Sequence, residues 1–476
     1  MTRYDRIRDL LEKNNQLHLL DFYDQLAEPQ QQLLLDQIEA IDFDNLNKMI
    51  AEYVLQKPEV KIPDEILPPT IVPAGGGENA QAAHQLGCEL IKQGKVAAFT
   101  VAGGQGTRLG YEGPKGCLPC TPIASKPLFR IFAEQIRYAC EKFNVKIPWF
   151  ILTSPINDNA TKAHFRQNDY WGFDKDEVFF IKQGTMPAID YSGKLILSQK
   201  FSLALSPDGH GGSLTALAKS GALDEMKSRG IEHISYFQVD NPLVHAIDPL
   251  FIGLHAQANA QASAKGLAKR DPFEKLGNFC VVDGKVTVIE YSDMPDELAT
   301  QTDATGRLKF SAGSIAIHLF RRDFIEHLTQ AGDCKLPLHR ADKKVPFINQ
   351  AGDHIAPGQP NAVKLEMFVF DALPLADSTV ILETGRLEEF SPIKNKTGQD
   401  SLATSLHDQI RRAACWFEDA GITVPRDADG QIAAELEISP LYASNSADLK
   451  IKIDPKFEIA PGQKIYLGSK GQITGA

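Results

Sequence analysis

The chain has 476 residues, 43% of them apolar and 23% charged, which excludes a mainly disordered, collagen-like or membrane-embedded protein. Fifty Lys and Arg against 61 Asp and Glu give a formal net charge of -11, so the surface as a whole repels nucleic acid and anionic membrane. An anionic ligand then needs a local basic site.

Residues 1–56 read as a helical N-terminal region, with Ile7, Leu10 and Leu11, then Leu33, Leu34, Ile38 and Ile41, at helix spacing. The opening stretch mixes both charge signs and lacks the apolar segment of a signal peptide. Residues 57–79 carry Pro58, Pro63, Pro68, Pro69, Pro73 and the triplet Gly75 to Gly77, which resist helix and central strand, so this is a linker wrapping onto the next domain. Residues 80–380 form the central domain, where strand and helix take turns. Val96 to Val101, Trp149 to Thr153, Val178 to Ile181 and Ile234 to Val239 read as strands. Leu128 to Cys140, Asn159 to Gln167 and Leu214 to Lys227 read as helices. Such alternation implies a mostly parallel sheet with helices on both faces. Phe279 to Val282 and Lys285 to Glu290 flank the turn pair Asp283-Gly284 and predict an antiparallel hairpin. Residues 381–476 contain a helix from Ser401 to Phe417 and short strand-like runs, Leu449 to Ile453 and Lys464 to Leu467, expected to form a small β-rich module.

The seven cysteines are odd in number and thinly spread, unlike a disulfide framework, and point to reduced thiols in the cytoplasm. Cys117-Leu-Pro-Cys120 has redox-type spacing but no second pair to complete a zinc site. No run of about 20 apolar residues offers a membrane span.

The strongest chemical signal follows the first strand of the alternating region: Ala102, Gly103, Gly104, Gln105, Gly106, Thr107, Arg108, Leu109 and Gly110, then Pro114, Lys115 and Gly116. Ligands in open α/β sheets bind outside the carboxyl ends of strands, and glycines there let backbone N–H groups approach an anion closely. Arg108 and Lys115 supply positive charge that the acidic surface does not. The segment is neither a Walker-type phosphate loop nor a dinucleotide fingerprint, since Leu109 stands where the latter needs its third glycine.

This loop resembles the signature of eukaryotic-type UDP-N-acetylhexosamine pyrophosphorylases, within the wider UDP-sugar pyrophosphorylase family. Further segments resemble it in order: Ile147 to Ser154, Gln183-Gly184, Ser206 to Gly212, Val239 to Asn241, Glu290 to Ser292, Lys364 to Asp371 and Ser391 to Asn395. The resemblance spans roughly residues 96–395. It implies an α/β fold, with a Rossmann-like, glycosyltransferase-A-like nucleotidyltransferase sheet that is mixed but mainly parallel. It also implies transfer of uridylyl from UTP to a sugar 1-phosphate with magnesium, or manganese, as cofactor.

By the same resemblance, Ala102, Gly103, Gly104, Gln183 and Gly209 bind the nucleotide, and Arg108, Lys115 and Lys394 are the catalytic cations on the phosphates. Asp240 is the metal ligand. His210, Glu290, Tyr291, Ser314, Phe368 and Phe370 line the sugar, the two phenylalanines being expected on one face of a strand through alternation. Three positions depart from the acetylhexosamine pattern: His210 replaces an asparagine, and Ser311 and Ser314 replace two more. The favoured sugar is N-acetylglucosamine 1-phosphate. The alternatives are a UDP-glucose or broad UDP-sugar pyrophosphorylase and, from another class, a non-catalytic UTP or UDP-sugar binding protein.

Overall fold

Nine strands build the central sheet of the computed structural model, which describes residues 1–58, 63, 65–330, 336–469 and the backbone of 473–474. In chain order they are β1 (Val96–Val101), β2 (Trp149–Thr153), β3 (Val178–Lys182), β4 (His233–Gln238), β5 (Ala262–Ala268), β6 (Gly277–Val282), β7 (Lys285–Ile289), β8 (Ala312–Arg321) and β9 (Thr379–Thr384). They line up as β7-β6-β8-β4-β1-β2-β3, while β5 pairs with β8 and β9. β1 runs parallel to β2, with Ala98 opposite Trp149, and to β4, with Val96 opposite His233; β2 and β3 are parallel as well. β8 is antiparallel to β4, β5 and β6, which makes the sheet mixed but mainly parallel on the side of β1.

Burial on both faces explains the near-continuous apolar runs of β1, β2 and β4. Phe129, Phe132, Trp149, Phe165 and Phe237 are at most 1% exposed, and the helix Leu128–Phe143 turns its apolar stripe into this core. The hairpin β6–β7 forms at Asp283-Gly284, as the sequence implies.

By internal contacts the chain divides into two units. One joins residues 1–62 to 184–213 and 336–369; the last two segments lie inside the stretch that the sequence reading gives to the central domain. Its core sets Ile7, Leu11, Leu34, Leu35 and Ile38 of the N-terminal helices against Ile189, Leu197, Leu203, Val363 and Leu365. The other unit holds residues 63–183, 214–335 and 370–476, with the nine-stranded sheet and the C-terminal module. The linker pairs with this unit through Leu67, bonded to Val281, and Val72, bonded to Ile381 and Glu383. Linker residues 59–62 and 64 lie outside the described ones.

Two local expectations are corrected. Leu449 to Ile453 is not a strand but belongs to the helix Ser446–Lys452, because Asn445 caps it by accepting from the Asp448 N–H. The run Leu214 to Lys227 is two helices, Gly212–Lys219 and Ala222–Ser228, broken at Gly221. The C-terminal β-strands are Glu435–Ile438, Lys464–Leu467 and Ile473–Thr474, in one three-stranded sheet. Among the described residues no helix is long and apolar enough to cross a membrane.

Candidate functional site

β1, β2, β3 and β4 are parallel, so their carboxyl ends share one edge of the sheet. The chain leaves β1 toward β2 and β3 and returns to β4 on β1's other side. The edge between β1 and β4 is therefore a topological switch point, where open α/β sheets bind ligands. The glycine loop follows β1, Ser154 follows β2, Gln183 follows β3, and Asp240 lies two residues beyond β4.

The loop is held from below by Asn157, fully buried, whose Nδ2 donates to the carbonyls of Ala102 (2.9 Å) and Gly104 (3.2 Å), while its Oδ1 accepts from the Ser154 N–H at 2.8 Å. Gly103 must be glycine, because a Cβ there would stand 2.6 Å from Gln183 Oε1; base-binding candidates from the ends of two strands are thus in contact. Around Gly104 the space is open to 4 Å. Lys115 returns to the loop, its N–H donating to Gly104 O at 3.1 Å.

The Lys115 ammonium reaches Asp240 Oδ2 at 3.4 Å, a longer separation than the roughly 2.7–2.9 Å of a tight charged pair. Burial works against the ionised form of Asp240, but Lys115 and Lys394 together outweigh it and hold the carboxyl below the usual carboxylate range. Lys394 is brought there by main-chain bonds: Ile393 N–H to Asp240 O at 2.9 Å, and Lys394 N–H to Asp400 O at 2.6 Å. Burial, reinforced by the charge of Asp240, lifts Asp400 above the usual range. Three predicted residues, Lys115, Asp240 and Lys394, therefore form one cluster.

Farther along the sheet, Ser314 in β8 pairs with Gly277 in β6, and a Cβ on Gly277 would lie 3.4 Å from Glu290 Oε1. Ser314 and Glu290 are thus neighbours around Gly277. Tyr291 is 45% exposed, and Arg108 is also exposed; among the described residues none forms an ion pair with Arg108.

Within the other unit, Gly211 N–H donates to Met367 O at 2.8 Å and Met367 N–H to Asp208 O at 2.8 Å, laying the loop of Gly209 and His210 along the end of the strand Ala362–Met367. His210 stacks on Phe368 with ring centroids 5.2 Å apart, and its Nδ1 accepts from the Val369 N–H at 3.1 Å. That bond makes Nδ1 the acceptor and puts the proton of the neutral ring on Nε2.

The expected strand alternation of Phe368 and Phe370 does not occur. The strand ends at Met367, and Val369–Ala372 is a 3-10 turn, because the Val369 N–H is taken by a side chain and not by a neighbouring strand. Phe370 is buried and Phe368 half-buried.

Sequence reasoning missed Asn157, Asp208 and Asp400. Asn157 stands three residues past the segment Ile147 to Ser154 and offered a signal as the polar residue that opens a helix just after a strand. Asp208 lay within a quoted motif; its carboxylate packs where any Cβ on Gly184 or Gly212 would fall, 2.4 and 2.1 Å away.

A glycine loop at a switch point, with two lysines and a carboxylate beside it, defines an α/β domain built to hold a phosphorylated nucleotide. Residues 45–411 match the UTP–glucose-1-phosphate uridylyltransferase family, and the chain belongs to this family of nucleotidyltransferases. It is 36% identical over 382 residues to the UDP-N-acetylglucosamine pyrophosphorylase of Saccharomyces cerevisiae, covering 78% of this chain and 80% of the relative. It is 34% identical over 475 residues to UDP-N-acetylhexosamine pyrophosphorylase-like protein 1 of Mus musculus, covering 94% of each. The crystal structure of the uridine diphosphate N-acetylglucosamine pyrophosphorylase from Trypanosoma brucei, in complex with an inhibitor, superimposes with a TM-score of 0.81 at 26% identity over 95% of both chains.

Proposed function

We propose that the protein joins UTP to N-acetylglucosamine 1-phosphate, giving UDP-N-acetylglucosamine and pyrophosphate. The observation that carries the reaction is the cluster of Lys115, Asp240 and Lys394 at the glycine loop; the names of the relatives support the sugar.

The sugar phosphate attacks the α-phosphorus of UTP in line and displaces pyrophosphate. A phosphomonoester with a second pKa near 6 is already ionised at neutral pH, so no general base is needed. The obstacle is bringing two polyanions together, and the protein answers it by positioning and by neutralising charge. In this reading the loop at Ala102, Gly103 and Gly104 and the amide of Gln183 hold the nucleotide, and Arg108 and Lys115 face the UTP phosphates. Lys394 faces the incoming sugar phosphate. Roles for Gly209 toward the nucleotide, and for His210, Glu290, Tyr291, Ser314, Phe368 and Phe370 toward the sugar, belong to the same proposal.

The residues fit a magnesium ion, with manganese as a substitute. Asp240 is an ionised oxygen donor not locked in a tight ion pair, and a hard cation that keeps waters and substrate phosphates needs only one or two carboxylates. When bound, the ion supplies charge neutralisation on the phosphate oxygens. A cytoplasmic setting goes with this reading: Cys117 and Cys120 are both buried and free, burial pushing the Cys117 thiol up to about 12.

The test is pyrophosphate release by purified protein with UTP and magnesium, comparing the 1-phosphates of N-acetylglucosamine, N-acetylgalactosamine, glucose and galactose. Preference for N-acetylglucosamine 1-phosphate is expected. Preference for glucose or galactose would overturn the sugar and point to His210 and Ser314, and no release with any of the four would favour a binding protein without turnover.

A further inference from the structure

Behind the cluster of Lys115, Asp240 and Lys394 lies a second concentration of charge that the reaction does not touch. Lys265, in β5, is 1% exposed, and its ammonium donates at 2.6 Å to Asp248 Oδ2 and at 2.6 Å to each oxygen of Glu389. His245, Asp248 and Glu389 offer ligand atoms within 4.8 Å of one another, as a metal site would. The Lys265 ammonium, however, is bonded to both carboxylates and takes the place of a cation. Burial works against its charge, but Asp248 and Glu389 outweigh that, so Lys265 stays protonated.

A buried ion cluster is a poor source of net stability, because desolvation offsets most of the attraction. What this one does is fix geometry. Glu389 Oε1 also accepts from the His245 N–H at 3.1 Å, and Oε2 from the Thr384 hydroxyl at 2.7 Å. The main-chain oxygen of Glu389 accepts from Asn241 Nδ2 at 2.6 Å, and Asn241 Oδ1 accepts from the Ser391 N–H at 3.1 Å. Next along the same pair of segments comes the Ile393 N–H on Asp240 O, at 2.9 Å. Residues 240–245 and 389–394 are therefore tied together repeatedly, and the tie ends at Asp240 and at Lys394, whose charge acts on the Asp240 carboxylate. Lys265 and Thr384 anchor it to β5 and β9.

We propose that Lys265 is a positioning residue for uridylyl transfer: through Glu389 it sets the spacing of Asp240 and Lys394. The inference rests on the function proposed above. It concerns a residue that meets neither substrate, so its effect falls on kcat through alignment, not on nucleotide binding.

Lys265→Met keeps an unbranched side chain one atom shorter and removes the charge. Asp248→Asn is the control, since it weakens a bond to the same ammonium but has none to residues 389–394, and its Oδ1 still accepts from the Leu250 and Phe251 N–H groups. In Lys265→Met kcat should fall about tenfold or more, the KM for UTP staying within about threefold, because small misplacements of reacting groups are costly. Lys265→Arg should recover part of that loss, and Asp248→Asn should keep kcat within about twofold even where it melts earlier. Hydrogen exchange supplies a readout without turnover: the His245, Ser391 and Ile393 amides should exchange faster in Lys265→Met and not in Asp248→Asn.

The proposal is overturned if folded Lys265→Met keeps kcat, if Asp248→Asn loses as much, or if those amides exchange at the wild-type rate. Should Lys265→Met not fold, Thr384→Val removes only one bond to Glu389 and must shift kcat and exchange the same way by a smaller factor. If the wild-type protein itself releases no pyrophosphate, the proposed function fails, while hydrogen exchange still decides whether Lys265 holds the two segments.

Discussion

At the residue scale the question is which side chains act on phosphate and which only shape the loop. Lys115 sits at the meeting of the glycine loop with Asp240, bonded by its main chain to the first and close by its ammonium to the second. Lys115→Ala should lower kcat for pyrophosphate release by about 10²–10³, the usual cost of removing one preorganised charge from a transferring group, with a smaller change in the KM for UTP. Gly103→Ala makes the opposite division. Its new Cβ would stand 2.6 Å from Gln183 Oε1 and push the amide aside, so the KM for UTP should rise about tenfold or more while kcat at saturation changes little. Steady-state kinetics on both variants tests the roles, and equal effects on both constants would merge them.

At the scale of elements, the sequence announced β1, β2 and β4 well because strands buried on both faces have no polar alternation to confuse the reading. The turn residues Asp283-Gly284 likewise announced the hairpin. The runs that misled were those whose conformation is decided by a distant partner. Phe368 and Phe370 alternate as a strand would, yet the Val369 N–H between them is claimed by His210, 159 positions away, and the chain turns. Leu449 to Ile453 alternates as well, but the Asn445 cap starts a helix whose Leu449 is buried against the core of the C-terminal module. The site was legible where motif residues end parallel strands, as with Gly103, Gln183 and Asp240. It was not legible at Asn157, whose task is to satisfy carbonyls brought to it by a neighbouring strand. Asn157→Ala leaves the buried Ala102 oxygen without a donor, Gly104 O keeping the Lys115 N–H, and should cost about 1–3 kcal/mol, read as a lower melting temperature, and restoration by saturating UTP would follow if the nucleotide holds the same loop.

At the scale of the whole unit that carries the sheet, the C-terminal module is joined to the connection that follows the glycine loop by polar bonds, not only by apolar packing. Glu437, in the strand Glu435–Ile438, accepts from the N–H groups of Ile123 and Ala124 at 2.7 and 2.8 Å, in the connection between Lys115 and the helix Leu128–Phe143. Beside it Lys126, 1% exposed, donates to Glu134 at 2.6 Å and to Ser439 at 3.3 Å, and Ser439 donates to Glu134 at 2.8 Å. Removing one member of such a network leaves its partners buried and unpaired, which costs more than the bonds contribute in water. Glu437→Ala orphans two main-chain donors at about 1–3 kcal/mol each and should lower the melting temperature by several degrees. Glu437→Gln keeps an acceptor oxygen for those donors and loses only the charge near Lys126, 4.0 Å away, so it should fall between wild type and Glu437→Ala. Thermal denaturation of the three proteins at one pH gives the order. If the alanine and glutamine variants melt together, charge and not hydrogen bonding holds the module; if neither melts earlier than wild type, the connection after Lys115 is held by the glycine loop and helix alone.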